Sequence, residues 1–243
     1  AGLFALILPL LSAAQPAGTL DPSFGNAGRF VQDFGFQDNL THVAVQPLDQ
    51  KVVTVGTALT PAFAGQLLVI RLLPNGTPDS TFNGTGVITV PDFTESYAYR
   101  VVVRDDGKIL VGGASCDPSY NFSFLVMRFN EDGSRDTTFG QSGIASVDLS
   151  SSDDIAYGMA ELNDGRILLA GQMTDPAFNK APVIIRLEED GSLASTFGTN
   201  GVTAMPGTPA PCGPWCAATA PPPSSWAEAS GFRRRSARSP TRS

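Results

Sequence analysis

The chain is poor in the residues that carry most chemistry. Of 243 residues, one is histidine (His42), three are cysteine, two are tryptophan, and only 16% are charged. A lone histidine excludes paired-histidine metal sites and confines any Ser-His-Asp arrangement to one place, and no Gly-x-Ser-x-Gly elbow accompanies it. No phosphate-binding Gly-rich loop, zinc-type cysteine spacing or dinucleotide fingerprint occurs. No stretch keeps a helical period, and no apolar run is long enough to span a bilayer. Cations are scarce where most of the chain lies. From residue 207 onward there are five Arg and one Glu, leaving eleven Lys and Arg against twenty-two Asp and Glu before it. Such an acidic body argues against nucleic acid as a partner, because phosphate recognition needs clustered cations.

What the chain has instead is repetition. Gly133-Ser-Arg-Asp136-Thr-Thr-Phe139-Gly140-Gln-Ser-Gly143 returns at 76–86 and 191–201, with a partial copy at 18–28. Its anchors Phe24, Phe82, Phe139 and Phe197 stand 58, 57 and 58 residues apart. A fixed period of this size marks stacked structural repeats. A second signature, Asp106-Gly107-Lys108-Ile109-Leu110-Val111, recurs as Asp164-Gly165-Arg166-Ile167-Leu168-Leu169 and, with Gln50 for Gly, at 49–54. Asp-Gly between apolar runs predicts a hairpin with a type I′ turn. A third signature is an apolar run ending in Arg71, Arg128 or Arg186, followed by Asn-Gly or Asp-Gly.

These signatures predict four strands per unit, in the first unit at 29–33, 41–46, 51–57 and 66–72. The predicted fold is all-β: three four-stranded antiparallel units of 57–58 residues in a partial β-propeller. The competing arrangements are a solenoid and a sandwich. Residues 1–17 read as an export signal with a clipped start, since an apolar run at 3–11 precedes small residues Ser12 and Ala14. Residues 18–205 hold the repeats. Residues 206–243, rich in Pro and Arg and containing Cys212 and Cys216, read as a disordered tail.

The Asp-Gly-Lys-Ile-Leu-Val-x-Gly run, the strand ending in Arg, and Asp-Gly-Ser-x-Asp-x-x-Phe-Gly-x-x-Gly together resemble the delta-60 repeat of large secreted or surface bacterial proteins. The resemblance covers residues 18 to about 204. It implies a propeller-like fold and no established reaction, so no catalytic residue is carried over. Two positions depart from the pattern: Asn83 replaces the Gly after Phe82, and Ala194 replaces the Asp found at Asp21, Asp79 and Asp136.

Each recurrent residue has a structural and a functional reading. The recurring Asp reads as a turn cap rather than a calcium ligand, because it lacks the dense Asp-x-Asp-x-Asp-Gly spacing. Phe24, Phe82, Phe139 and Phe197 read as plugs between units. Arg71, Arg128 and Arg186 read as structural ion pairs rather than a cationic ring. Gly107 and Gly165 read as turn positions. His42, Tyr99 and Tyr157 share one register at the start of the second strand of each unit, either as packing or as the wall of an inner surface. Phe63, Tyr120 and Phe178 each follow a Pro by two residues, in the connection after the Asp-Gly-Lys strand. As loop aromatics on a rigid scaffold they suit contact with a sugar or peptide; the alternative is a ring folded back on its own unit.

The sequence thus points to an exported, non-enzymatic repeat module for binding or surface scaffolding, with no cofactor and no metal. Its partner would be a protein or carbohydrate, with self-association or further repeats covering open sheet edges. The alternatives are a polysaccharide-acting enzyme on the same scaffold and a pure spacer. The spacer reading predicts buried rings at the Pro-x-aromatic loops.

Overall fold

The computed structural model describes residues 18–175 and 177–204. The expected export signal and the tail with Cys212 and Cys216 lie outside the described residues. Among the described residues there is no helix, and hence none long and apolar enough to cross a membrane.

Twelve strands form three antiparallel four-stranded sheets. The first contains β1 (Asp38–Val45), β2 (Val52–Leu59), β3 (Gly65–Leu72) and β4 (Val87–Val90). The second contains β5 (Glu95–Val103), β6 (Ile109–Cys116), β7 (Phe122–Phe129) and β8 (Ile144–Val147). The third contains β9 (Ile155–Glu161), β10 (Ile167–Thr174), β11 (Lys180–Leu187) and β12 (Val202–Ala204). Strands follow chain order within each sheet. The phase differs from the one expected: the strand after the Phe-Gly corner closes a sheet instead of opening one. The corner folds that strand straight back on its predecessor, and the next connection carries the chain to a new sheet. Residues 29–33 accordingly form no strand, since the described chain before them offers no third strand to pair with. Only a bridge between Gly25 and Arg29 remains there.

The Asp-Gly turns also differ in type. Arg104 N–H donates to Lys108 O (2.8 Å) and Gly107 N–H to Arg104 O (3.0 Å). Gly107 has φ 80° and Gly165 φ 81°. This is a type I turn followed by one left-handed residue, so a single positive φ suffices. Gln50 takes that conformation in the first sheet (φ 58°).

The sheets stack face to face. Val53, Val55, Leu67 and Val69 of the first sheet pack with Val101, Ile109, Val111, Leu125 and Met127 of the second. Leu110, Phe124 and Val126 of the second pack with Ile167, Leu169, Val183 and Ile185 of the third. Strands covered on both faces explain why β2 and β6 are almost wholly apolar or small. The first strands lie together, β1 against β5 and β5 against β9.

Each first strand carries a bulge, at Thr41, Tyr99 and Tyr157, where its pairing with the second strand shifts. The second strand answers with Gly56, Gly113 and Gly171. A Cβ on any of them would lie 1.9 Å from a carbonyl oxygen of the bulged strand. That contact explains the glycine ending the Ile-Leu-Val-x-Gly motif. Gly113→Ala is expected to lower stability by about 3 kcal/mol, because backbone has to move to admit the methyl. A urea-unfolding midpoint within experimental error of the parent's would refute this account.

Candidate functional site

The two edges of the array have different chemistry. One edge holds the Asp-Gly turns and the Phe-Gly corners. There Arg128, almost fully buried at the end of β7, donates from Nε to Asp136 (2.7 Å) and from Nη2 to Thr138 Oγ1 (3.1 Å). Its Nη1 crosses to the next sheet and donates to Glu189 O (2.7 Å), and its guanidinium lies over the Phe139 ring. Arg71 repeats every contact: Asp79 (2.8 Å), Thr81 (3.1 Å), Glu131 O of the following sheet (2.5 Å), and the Phe82 ring. The corner itself also reaches forward. Asn83 N–H donates to Asp132 O, Gly140 N–H to Asp190 O, and Phe82 and Phe139 lie on Gly133 and Gly191. A Cβ at Gly133 would come within 3.0 Å of the Phe82 ring, so only glycine admits the plug.

Electrostatics make the clamp tight. Burial alone would raise the Asp136 carboxyl, but hydrogen bonds from Lys108 and Thr138 and the Arg128 charge hold it well below the usual carboxylate range. Asp79 is shifted downward in the same way. In the third sheet the clamp is partial. Ala194 supplies no carboxylate, Arg186 keeps its Thr196 and Phe197 contacts, and its Nε is buried without a partner. The recurring Arg, Asp and Phe therefore serve to join sheets.

The opposite edge holds the β2–β3, β6–β7 and β10–β11 hairpins, and here the aromatics stand out. Phe63, Tyr120 and Phe178 are 67%, 61% and 81% exposed. All three have positive φ, at 61°, 61° and 63°. Phe63 N–H donates to Thr60 O and Thr60 N–H to Ala64 O. Tyr120 and Phe178 repeat this with Asp117 and Asn121 and with Asp175 and Asn179. The turn is the one made by the Asp-Gly loops, but a bulky ring occupies the left-handed position that Gly107 and Gly165 fill on the other edge. Phe36, which no repeat signature marks, adds a fourth exposed ring, 5.3 Å from Phe63.

The inner wall gives a correction. Tyr99 and Tyr157 share the bulge position with Thr41, and their rings lie 5.5 Å apart. His42 stands one place further on, level with Arg100 and Gly158, and its Nδ1 accepts from Val101 N–H (3.3 Å). Burial and then the Arg100 charge lower its pKa, so His42 is a neutral tie between two sheets. The bulge that shifts the register has no sequence signature.

Two further titratable groups are buried. Cys116 is a free thiol pushed up to about 11, first by burial, and is inert as a nucleophile. Asp154 is fully buried and raised to about 6 by burial, despite hydrogen bonds from Leu149 N–H and from Ser150, with the Asp148 charge adding to the rise. It anchors the connection between β8 and β9 and faces no solvent. Among the described residues no three His, Cys, Asp or Glu side chains group as metal ligands.

The Asp154 and Asp136 shifts have opposite signs. Asp154 titrates above the ordinary 3.8 when folded, so its contribution to stability is complete below about pH 4 and is lost as pH rises through about 6. Asp79 and Asp136 contribute above about pH 4 and lose that contribution as pH falls. Stability is therefore expected to peak near pH 4, to decline by roughly 2–3 kcal/mol between about pH 4 and 6, and to change little from there to pH 8. Asp154→Asn removes the titrating group while leaving an amide oxygen to accept from the Leu149 and Ser150 N–H groups. Urea titrations of this variant at several pH values should lose the decline above the peak and keep the acid one. Persistence of the decline above the peak would exclude Asp154 as its source.

Stacked four-stranded antiparallel sheets with their first strands together are the blades of a β-propeller. Three segments, 49–82, 104–139 and 162–197, match the family model described as "Domain of unknown function (DUF5122) beta-propeller". These three repeats match that family, which corresponds to the delta-60 repeats their motifs resemble. Each matched segment spans the second and third strands of a blade and ends on the plug Phe82, Phe139 or Phe197. No curated protein and no solved structure matches the chain.

Proposed function

We propose that this chain is an exported, non-enzymatic propeller module that binds a polysaccharide along the edge bearing Phe63, Tyr120 and Phe178. One observation carries the reading: in three successive blades a bulky ring is held exposed in a backbone conformation that costs about 1 kcal/mol or more. Scaffold alone would favour glycine there, as on the opposite edge. A spacer would bury the rings, and their exposure goes against it. Exposed aromatic faces suit the apolar faces of sugars, and Ser119, Asn179 and Lys180 beside them offer polar contacts. The acidic body disfavours an anionic polymer, so the expected ligand is a neutral glycan. The non-enzymatic reading draws on Asp154, the carboxylate moved furthest toward neutrality, being shut away from any substrate. Export rests on the amino-terminal apolar run.

The test is affinity electrophoresis in gels containing soluble neutral glucans, xylans or chitin derivatives. The parent should be retarded by at least one of them. A variant with Phe63→Gly, Tyr120→Gly and Phe178→Gly should run as in a blank gel. Equal retardation of parent and variant, or none for the parent in any polymer, would refute the proposal.

A further inference from the structure

The three rings of the candidate edge are presented alike. Phe63, Tyr120 and Phe178 each stand two residues before the residue that opens the returning strand. That residue is Gly65, Phe122 or Lys180, paired in turn with Leu59, Cys116 or Thr174. The φ angles of the three coincide, at 61°, 61° and 63°. The bond from backbone to ring therefore leaves each blade in the same direction. What separates one ring from the next is the rotation that relates the blades.

That rotation decides which chain of sugars can touch all three. The sheets converge on their first strands, β1 against β5 and β5 against β9. They fan about an axis, so equivalent positions lie on an arc. A propeller of about four to eight blades turns by roughly 45–90° from each blade to the next. Sheets packed face to face lie about 10 Å apart, which is about two pyranose lengths along a glycan. A chain that engages all three rings must therefore turn by one blade rotation at about every second sugar.

A β-1,4-linked chain does not turn in this way. Its equatorial linkages flip successive sugars into a straight, flat ribbon, which lies along two neighbouring rings and leaves the third as the arc bends away. A β-1,3-linked chain winds but climbs along its helix axis, whereas the three hairpins share one edge of the array. An α-1,4-linked chain bends in one sense at every linkage, advances little as it winds, and keeps the same side of successive sugars facing the same way.

We infer that this edge is shaped for an α-1,4-linked glucan, with Phe63, Tyr120 and Phe178 stacked on about every second glucose of a curved chain. The inference rests on the reading of the edge as a glycan site. The glucan is uncharged, as the acidic body requires. A polar anchor stands at the centre of the arc. Asp117, exposed at the foot of the Tyr120 turn, accepts from Ser119 and Asn121 N–H with Oδ1 alone. Its Oδ2 is left for glucose hydroxyls, while the equivalent Asp175 spends both oxygens within its own turn.

Isothermal titration calorimetry of the full chain with maltosaccharides, cellosaccharides and laminarisaccharides of increasing length tests this. Affinity for maltosaccharides should rise about tenfold or more from the trimer, which reaches two rings, to the hexamer, which reaches all three. Cellosaccharides should show no such rise, because their trimer already touches every ring a straight chain can reach. Phe63→Gly and Phe178→Gly should each abolish the rise and leave the maltotriose affinity unchanged, since one neighbouring pair of rings survives. Tyr120→Gly breaks both pairs and should weaken maltotriose binding about tenfold as well. An equal rise with cellosaccharides or laminarisaccharides, or no rise with maltosaccharides, would overturn the inference and leave the edge a glycan site of another kind. Binding to none of these saccharides, and to none of the polymers in the gels, would overturn both readings.

Discussion

Arg128→Met is expected to cost about 3–5 kcal/mol, while Arg186→Met is expected to cost about 1 kcal/mol or less. Methionine keeps much of the aliphatic volume, so the contrast isolates the guanidinium. At 128 the loss leaves Asp136, whose side chain is 4% exposed, with Lys108 as its remaining cation. It also strips Glu189 O of its donor and removes the charge over Phe139. A buried ion pair is seldom a large net gain, but breaking one strands a charge, and the stranded charge sets the magnitude. At 186 there is no carboxylate to strand, and the substitution removes a buried nitrogen that has no partner. Arg71→Met should behave like Arg128→Met. Urea titrations followed by far-ultraviolet circular dichroism measure all three, and equal losses at 128 and 186 would show that the carboxylate and the forward carbonyl contribute little.

Replacing Phe63, Tyr120 and Phe178 together with glycine is expected to stabilise the fold by roughly 2 kcal/mol and to weaken glycan binding on the order of a hundredfold. Each site sheds the strain of a bulky residue at φ near 60°. Part of that gain is offset by the greater freedom of glycine in the unfolded chain. The rings are mostly exposed, so little packing is lost, except at Phe63, which touches Phe36. A single variant that gains stability and loses binding separates function from folding more cleanly than one that loses both. Scanning calorimetry beside the electrophoresis reads the two together. A lower melting temperature would mean the rings hold their hairpins together.

Much of the architecture was legible in the chain. The 57- and 58-residue spacing of the plugs gave the number of blades, and the apolar runs between Asp-Gly, Arg and Phe-Gly gave the strands. The phase was not legible, because a period marks what repeats without saying which strand begins a sheet. Nor was the bulge: Thr41 and Tyr99 share nothing as residue types, so His42 seemed level with the tyrosines when it stands one place beyond. The roles of Glu131 and Glu189 were hidden for another reason. They contribute backbone oxygen, which no side-chain pattern records. Pro-x-aromatic spacing identified Phe63, Tyr120 and Phe178, but the same letters fit a ring turned inward. Only the positive φ and the exposure tell the two apart.

The clamps all lean the same way, each corner fastening onto the sheet that follows it. A sheet is therefore fastened down by the corner before it and has no such hold of its own on what lies behind. Unravelling should start from the carboxyl-terminal sheet, whose own corner grips nothing further among the described residues, and run backward. Mild protease treatment should accordingly leave a ladder of fragments that share an early boundary and differ in how many sheets they retain.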